Sequence, residues 1–401
     1  MAAPKLRFKE FDGDWTRYKI AEVTEYLVDG THFSPKTTEG EFKYITSKNI
    51  RNDGLDLTNI SYISKDEHET IYKRCKVQLG DILLTKDGAN TGNCCLNTLD
   101  EEFSLLSSVA VLRGKKDSFN NNFILQILQS DLGQNTIISS MSGQAITRIT
   151  LAKLKDYSFF FPELTEQTKI ASFLSAVDEK ISQLTQKHSL LSQYKQGMMQ
   201  KLFSQQIRFK ADDGSEFGEW EETSLHTFLC ESLIKGSKGN KAKKLTVKLW
   251  GKGVIPKNEA FQGSENTQYY KRSAGQLIYG KLDFLNCAFG LIPEYLDGFE
   301  STIDAPAFDI DNKIVHPYFL INRFLQKDFY QKNGEEADGS RKAKRINQSV
   351  FLAMQIGLPS LEEQTKIANF LSAIDQKIEV MAQQIEQAKT WKKGLLQQMF
   401  V

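Results

Sequence analysis

The chain has 401 residues, of which 40% are hydrophobic and 25% are charged, and its 51 Lys and Arg residues nearly balance its 50 Asp and Glu residues. This composition is typical of a globular protein with two or three domains, and it excludes a largely disordered or collagen-like chain. The net charge of +1 also excludes a global attraction to polyanions, so any contact with DNA must come from local basic patches or from a charged partner.

The N-terminal residues are charged, and the chain lacks the roughly 18 consecutive apolar residues of a membrane span. We therefore expect a soluble, cytoplasmic protein with no membrane contact. The five cysteines form no C-x-x-C pair, which favours reduced thiols, and the five scattered histidines predict no metal site.

The first region, about residues 5–157, predicts a domain of mixed α and β structure. The apolar runs DILLT from Asp81 and SVAVL from Ser108 predict strands between turn residues. SFNNNFILQILQS from Ser118 has helical spacing.

A helical block follows Pro162. Its apolar residues recur at alternating spacings of four and three, the a/d pattern of a coiled coil. The predicted seam positions are Ile170, Leu174, Val177, Ile181, Leu184 and Leu191. About 38 helical residues make a rod about 57 Å long, which is longer than a small domain is wide.

The second region, about residues 207–355, has the same mixed character. QLIYG from Gln276 predicts a strand, and HPYFLINRFLQKDFY from His316 predicts one helix. The segment from Ser232 to Asn258 contains eight lysines and no acidic residue. We interpret it as a basic loop that either lies along DNA phosphates or remains a solvated face.

The second helical block repeats the first. The segment from Leu361 to Phe400 aligns without a gap with the segment from Leu164 to Phe203, at a constant offset of 197 positions. Ser360 and Glu363 fit a capping box, which predicts that the second helix starts near Leu361. The predicted seam positions are Ile367, Leu371, Ile374, Ile378, Met381 and Ile385.

The repeat predicts an α+β fold: two mixed α/β domains separated by a long antiparallel two-helix coiled coil, with a pseudo-twofold internal repeat. The first helix leads away from the first domain and the second must lead back. We predict domains at residues 1–160 and 206–357, and helical spacers at 161–205 and 358–401. Lys195 and Lys392 occupy equivalent a positions, where each either sets the register or extends its ammonium group to water.

Catalytic motifs are missing from the sequence. It contains neither the N/D-P-P-Y/F tetrapeptide of amino-methyltransferases nor G-x-G-x-x-G after a strand. We therefore predict no catalytic residue and a non-enzymatic role, although a hydrolase with an unrecognised site stays open as an alternative.

The two helical blocks resemble those of the specificity subunit of type I restriction-modification enzymes. Each follows a Pro and reads L-x-E-Q-T-K-I-A-x-F-L-S-A and then D-x-K-I. DGTHFSP from Asp29, YITSKNI from Tyr44, GDILLTKDGANTG from Gly80 and GQLIYGKLDFLNCAFG from Gly275 also occur in the order typical of that family. One departure is that the second region has no evident DGTHFSP counterpart.

This resemblance implies two target recognition domains, each of which reads one half of a bipartite, asymmetric site in double-stranded DNA. It implies that the helices fix the gap between the halves and dock two methyltransferase subunits, with restriction subunits in the full complex. S-adenosylmethionine, ATP and Mg would belong to those partners, and this chain would hold no cofactor. The alternative is a freestanding, two-headed DNA-binding or scaffolding coiled-coil protein outside a restriction system.

Basic and polar residues of the two domains are the candidate DNA contacts. They are Lys48, Lys86, Gln144, Arg148, Lys241, Lys243, Lys244, Lys281, Arg341 and Arg345. Arg148 and Arg345 align across the repeat, and each would pair with guanine, hold a phosphate, cap a helix or bind a carboxylate. For Lys48, Lys86, Gln144 and Lys281 the alternative is a side chain that simply faces solvent.

Overall fold

The computed structural model describes residues 3–37, 39–141, 147–258, 263–335 and 345–401. The chain divides into two compact units, Met1–Lys187 together with Met381–Val401, and His188–Val380. Each unit therefore holds one globular domain and a part of each long helix. Across the described ranges, no helix is both long and apolar enough to cross a membrane.

The domain of the first unit is built on a four-stranded antiparallel sheet. The strands of the whole domain, including those outside this sheet, are β1 (Thr16–Lys19), β2 (Thr24–Asp29), β3 (Phe42–Ile45), β4 (Ile50–Arg51), β5 (Gly54–Leu55), β6 (Ser61–Ile63), β7 (Ile82–Thr85), β8 (Cys94–Leu96), β9 (Ser104–Leu105), β10 (Val109–Gly114) and β11 (Ser158–Phe161). Its helices are α1 (Ile20–Val23), α2 (Lys65–Tyr72), α3 (Asn121–Gln129), α4 (Asp131–Ser140) and α5 (Leu151–Asp156), followed by the long helix α6 (Leu164–Phe203). The main sheet has the order β2-β10-β7-β8, which confirms both predicted strands.

This sheet is apolar on both faces. Successive side chains of a strand point to opposite sides, and consecutive residues of β7 and β10 are apolar. Ile82 and Leu84 pack into the cluster that contains Phe123 of α3. Leu83 packs into a separate cluster with Ile45, on the opposite side. The sheet therefore appears in the sequence as an uninterrupted apolar run rather than an alternating one.

The second unit repeats this plan. Its strands are β12 (Glu221–Ser224), β13 (Leu229–Ser232), β14 (Lys235–Lys238), β15 (Leu245–Val247), β16 (Val254–Pro256), β17 (Gln268–Lys271), β18 (Leu277–Tyr279), β19 (Phe289–Leu291), β20 (Glu300–Ser301), β21 (Ala307–Ile310) and β22 (Gln355–Leu358). Its α-helices are α7 (Pro317–Phe324), α8 (Lys327–Glu335), α9 (Gln348–Ala353) and α10 (Leu361–Met399). The main sheet has the order β13-β21-β18-β19, the counterpart of the first sheet.

The single helix predicted from His316 is wrong, because the segment forms both α7 and α8. The Gln326 amide donates to the carbonyl of Arg323, so α7 tightens and ends there. The break lets Phe329 stack on Phe324 with ring centroids 4.5 Å apart. Core packing therefore overrides a continuous helical periodicity.

The start of each long helix is held by a buried glutamate. Glu166 accepts two 2.7 Å bonds from the guanidinium group of Arg7, and Glu363 accepts bonds of 3.0 and 2.8 Å from that of Arg208. The predicted capping box forms only in part. The Glu363 amide donates to the Ser360 hydroxyl at 3.3 Å, but the Glu363 carboxylate binds Arg208 and not the cap.

The end of each long helix packs into a core. The ring centroid of Phe203 of α6 lies 5.4 Å from that of Phe319 of α7, within the second unit. The ring centroid of Phe400, just after α10, lies 5.4 Å from that of Phe123 of α3, within the first unit. The amide of Leu6 donates to the carbonyl of Gln398 at 2.9 Å. Each domain is therefore completed by the end of the helix that follows the other domain.

Candidate nucleic-acid interface

Lys86 belongs to a buried cluster of charges in the first unit. Its side chain is 2% exposed, and its ammonium group lies 3.4 Å from Asp29 and 3.3 Å from Asp87. Arg74 also binds Asp29, at 3.1 Å. The cluster joins the end of β2 to the loop after β7, so the side chain of Lys86 holds this loop and does not face solvent.

Arg148 meets the same loop. Its guanidinium Nε lies 3.5 Å from Asp87, and its side chain is 57% exposed. The next residue, Ile149, donates its amide to the carbonyl of Lys86 at 2.9 Å. The structure therefore brings together the candidates Lys86 and Arg148, with only the arginine on the surface. Gln144 lies outside the described residues.

The turn that carries Lys48 packs beside this loop. The side-chain amide of Asn90 donates to the carbonyl of Ser47 at 3.3 Å, and the Ser47 amide donates to the hydroxyl of Ser108 at 3.3 Å. Lys48 is exposed. The turn, the loop after Lys86 and Arg148 form one surface, which we call the first candidate surface.

The second unit has an equivalent surface around Lys281 and Arg345. The Ile346 amide donates to the Lys281 carbonyl at 3.1 Å, as Ile149 does to Lys86. Arg345 is half-exposed and hydrogen-bonds to Asp304. Lys281 is 5% exposed, and burial lowers the pKa of its ammonium group. We call this the second candidate surface. Arg341 lies outside the described residues.

The second region has no counterpart of the Asp29 carboxylate. Val28 and Ser232 are equivalent, because each pairs with the β10 or β21 residue that lies opposite the third residue before Lys86 or Lys281. Leu233 therefore stands where the first region has Asp29, and the carboxylate that binds Lys86 has no equivalent at this position beside Lys281.

Arg272, which follows β17, is buried beside the end of β13. It donates to the carbonyl of Ser232 at 2.7 Å and to the hydroxyl of Ser301 at 2.8 Å, and burial lowers its pKa to about 10. Neither Arg74 nor Arg272 was among the residues predicted from the sequence. The available signal was the Lys-Arg dipeptide that ends in each of them.

The basic segment of the second unit is not the loop that we predicted, because it contains β14, β15 and β16. Pairing with β17 and within the β15–β16 hairpin satisfies its backbone and overrides its loop-like composition. Lys241 and Lys243 are exposed. Lys244 is buried, with its ammonium group 5.5 Å from the ring centre of Tyr269.

The predicted seam positions of the long helices face inward to different degrees. The buried ones are Ile170, Leu174, Val177, Ile367, Leu371 and Ile374, and the half-buried ones are Ile181, Leu184, Leu191, Ile378, Met381 and Ile385. Among these predicted positions, burial is therefore deepest near the start of each helix.

The two seam lysines form equivalent ion pairs. The ammonium group of Lys195 lies 2.6 Å from Asp375, and that of Lys392 lies 2.7 Å from Asp178. Both lysine side chains are less than a fifth exposed. Their ammonium groups therefore bind carboxylates of the other helix and are not directed to water alone.

Metal-binding chemistry has no evident site in the ranges that the structure describes. No group of three or more His, Cys, Asp or Glu side chains there is placed to hold an ion. Burial raises the pKa of Cys75, Cys95 and Cys287 to about 12, which disfavours the reactive thiolate form at these positions. What the two candidate surfaces offer is exposed cationic and amide groups.

Comparison with known proteins identifies a family. The model of the type I restriction modification DNA specificity domain matches residues 12–192 and 307–390. The putative type I restriction enzyme MjaX specificity subunit of Methanocaldococcus jannaschii is 24% identical over 419 residues, which cover 98% of this chain and 94% of that protein.

Two solved structures share the fold. The S subunit of a type I restriction-modification system from M. genitalium has a TM-score of 0.62 at 17% identity, over 100% of this chain and 99% of its own. A chain from a study of complex assembly and conformational transition in a type I R-M system has a TM-score of 0.56 at 14% identity, over 95% and 96%. The two-domain α+β architecture is therefore shared.

Proposed function

The chain belongs to the type I restriction-modification DNA specificity family, and on this premise we propose that each of its two domains reads one half of a bipartite, asymmetric DNA site. The chain is a specificity subunit of a type I restriction-modification system. The observation that carries the proposal is the pair of equivalent surfaces. Each contains an equivalent backbone bond, from Ile149 to Lys86 or from Ile346 to Lys281, but presents different side chains.

The exposed cations of these surfaces are the proposed DNA contacts. Lys48 and Arg148 serve the first surface, Arg345 serves the second, and Lys241 and Lys243 extend it. Since most protein–DNA hydrogen bonds go to phosphate and sugar, we assign the lysines to phosphates and the two arginines to base edges or phosphates. Gln144 and Arg341 remain candidates. Lys86, Lys244 and Lys281 shape the surfaces from within.

The long helices are the proposed spacer. We infer that α6 and α10 pair along their seams as an antiparallel coiled coil between the domains. The proposed bounds are residues 1–160 and 206–357 for the target recognition domains and 161–205 and 358–401 for the spacers. A 40-residue helix is about 60 Å long. A span of this stiffness holds two DNA readers at a set separation, which a flexible linker cannot do.

The proposed complex contains catalytic partners. Members of this family act in DNA-binding assemblies with other subunits, and the relatives of this chain are non-catalytic specificity subunits. We propose that the helices dock two methyltransferase subunits, that restriction subunits join them, and that S-adenosylmethionine, ATP and Mg bind to these partners.

A domain exchange tests this function. Residues 1–160 are replaced by the equivalent segment of another specificity subunit, and the methylated sites of the cell are mapped by methylome sequencing. We expect one half of the methylated sequence to change while the other half and the gap remain, because each domain reads its own half. The matched control exchanges residues 206–357, which should change the opposite half.

Two outcomes contradict the proposal. A change in both halves after a single exchange would refute modular reading. Recovery of the chain from native cells without any methyltransferase subunit would favour the freestanding two-headed DNA-binding or scaffolding protein instead.

A further inference from the structure

A tryptophan projects from the tip of the hairpin formed by β15 and β16. The tip consists of residues 248–253, between the two strands. Trp250 is 58% exposed, although tryptophan is one of the side chains that proteins bury most extensively on average. Lys248 and Lys252, on either side of it, are also exposed. An exposed indole between two ammonium groups is suited to a partner that is both aromatic and anionic.

The backbone holds this tip in a fixed position. The Trp250 amide donates to the carbonyl of Asn286 at 2.8 Å, and the Gly251 amide donates to that of Cys287 at 2.9 Å. Both Trp250 (φ 60°) and Cys287 (φ 55°) adopt the left-handed conformation, which is costly for such residues. A Cβ at Gly251 would lie 2.5 Å from a methyl group of Leu325. The neighbouring packing therefore maintains a strained backbone that displays the indole.

The first unit has an equivalent turn, the one that carries Lys48. Tyr44 pairs in parallel with Ser104, and Lys244 bridges in parallel to Glu300. Counting on from these two pairs aligns YITSK of the first unit with KLTVK of the second. Lys248 therefore occupies the position of Lys48.

Both turns contact equivalent loops, the one between β7 and β8 in the first unit and the one between β18 and β19 in the second. In the first unit the contact is the bond from Asn90 to Ser47, in the loop after Lys86. In the second it is the bond from Trp250 to Asn286, in the loop after Lys281. The tip thus continues the second candidate surface, which sequence analysis had not extended to Trp250.

We propose that the hairpin tip enters a groove of the DNA, with the Trp250 ring against bases or sugars and Lys248 and Lys252 on phosphates. This inference rests on the proposed function. The surrounding segment, from Ser232 to Asn258, contains lysines and no acidic residue, which favours a polyanion over a protein partner. Apolar side chains that wedge into a groove while cations hold the backbone are a known mode of DNA binding.

The test uses the full chain assembled with its methyltransferase subunits and a duplex that carries the methylated site. All variants also carry Trp391→Phe, because Trp391 is 54% exposed and would contribute to the fluorescence signal. Trp250→Asn removes the ring but tolerates the left-handed backbone, and Trp250→Phe retains an aromatic ring. The two measurements are acrylamide quenching of tryptophan fluorescence, with and without duplex, and the DNA dissociation constant.

We expect the cognate duplex to protect Trp250 from quenching. We expect Trp250→Asn to raise the dissociation constant about tenfold, the scale on which loss of one stacked aromatic weakens binding, while Trp250→Phe recovers most of the affinity. Protection that is already complete before DNA is added would overturn the inference, because a partner subunit would then cover the tip. If the complex binds DNA selectively but Trp250 stays unprotected and Trp250→Asn leaves the dissociation constant unchanged, the inference about the hairpin tip is overturned while the proposed function stands. A complex without any sequence-selective binding would instead contradict the proposed function itself.

Discussion

The glutamates of the two L-x-E-Q-T-K motifs have a structural role at the start of the long helices. Glu166 and Glu363 are almost completely buried, and each receives two bonds from one arginine. These bonds raise the pKa of the guanidinium groups of Arg7 and Arg208. The repeated motif therefore ties each helix to the segment that precedes its domain.

Replacing Glu363 by Gln should destabilise the second unit. The substitution removes the charge that compensates Arg208 while retaining the shape of the side chain, and we expect a loss of about 2 kcal/mol in the free energy of unfolding. Denaturant unfolding of the purified chain measures it. The matched control is Glu362→Gln at an exposed neighbour, where a change within about 0.5 kcal/mol is expected. Equal effects at both positions would mean that the buried ion pair contributes nothing.

The long helices owe their alignment to polar as well as apolar contacts. Each seam lysine binds an aspartate of the other helix, and the two ion pairs are related by the offset of the repeat. A polar group at an a position disfavours registers that leave it unpaired. The helix ends are held in addition by the packing of Phe203 on Phe319 and of Phe400 on Phe123.

Lengthening both helices should widen the DNA gap. Seven residues are inserted after Lys187 and seven after Gln384, which are equivalent positions of the repeat. One added heptad extends a helix by about 10 Å, or about three base pairs, so the mapped methylation sites should contain a gap that is longer by that number. Insertion into α6 alone is the control, and it should impair assembly because the seams no longer match. An unchanged gap after the double insertion would mean that the helices do not set it.

Local patterns predicted the helices and the sheet strands because these elements depend on short-range periodicity. The heptads after Pro162 and Pro359 and the apolar runs at β7, β10 and β18 belong to this class. The buried pairing of Lys86 and the equivalence of Asp29 with Leu233 were not predictable, because both depend on the register between strands distant in sequence. The same reason explains why β14, which pairs with β17, was missed.

At the scale of the whole molecule, the first unit is assembled from two distant parts of the chain, whereas the second is one continuous segment. The core of the first unit includes Leu395, Leu396, Met399 and Phe400, next to residues of its own domain. The core of the second includes Leu202 and Phe203. The core of each unit therefore includes the end of the long helix that follows the other domain.

Crossed aromatic truncations test this arrangement. Phe400→Ala should loosen α3 in the first unit, and Phe203→Ala should loosen α7 in the second, each at a cost of about 3 kcal/mol. Hydrogen exchange followed by mass spectrometry reports both helices in one experiment, and each variant is the control for the other. If Phe400→Ala instead loosened α7, the observed assignment of helix ends to units would be wrong.

The contact between Phe400 and Phe123 also bears on biosynthesis. Phe400 leaves the ribosome about 270 residues after α3, a delay of roughly 15 to 55 s at ordinary rates of translation. During that interval the nascent N-terminal domain exposes the apolar site that Phe400 later covers. The final packing of this core therefore follows the synthesis of α10, and a chaperone that shields this site would have its main opportunity in that interval.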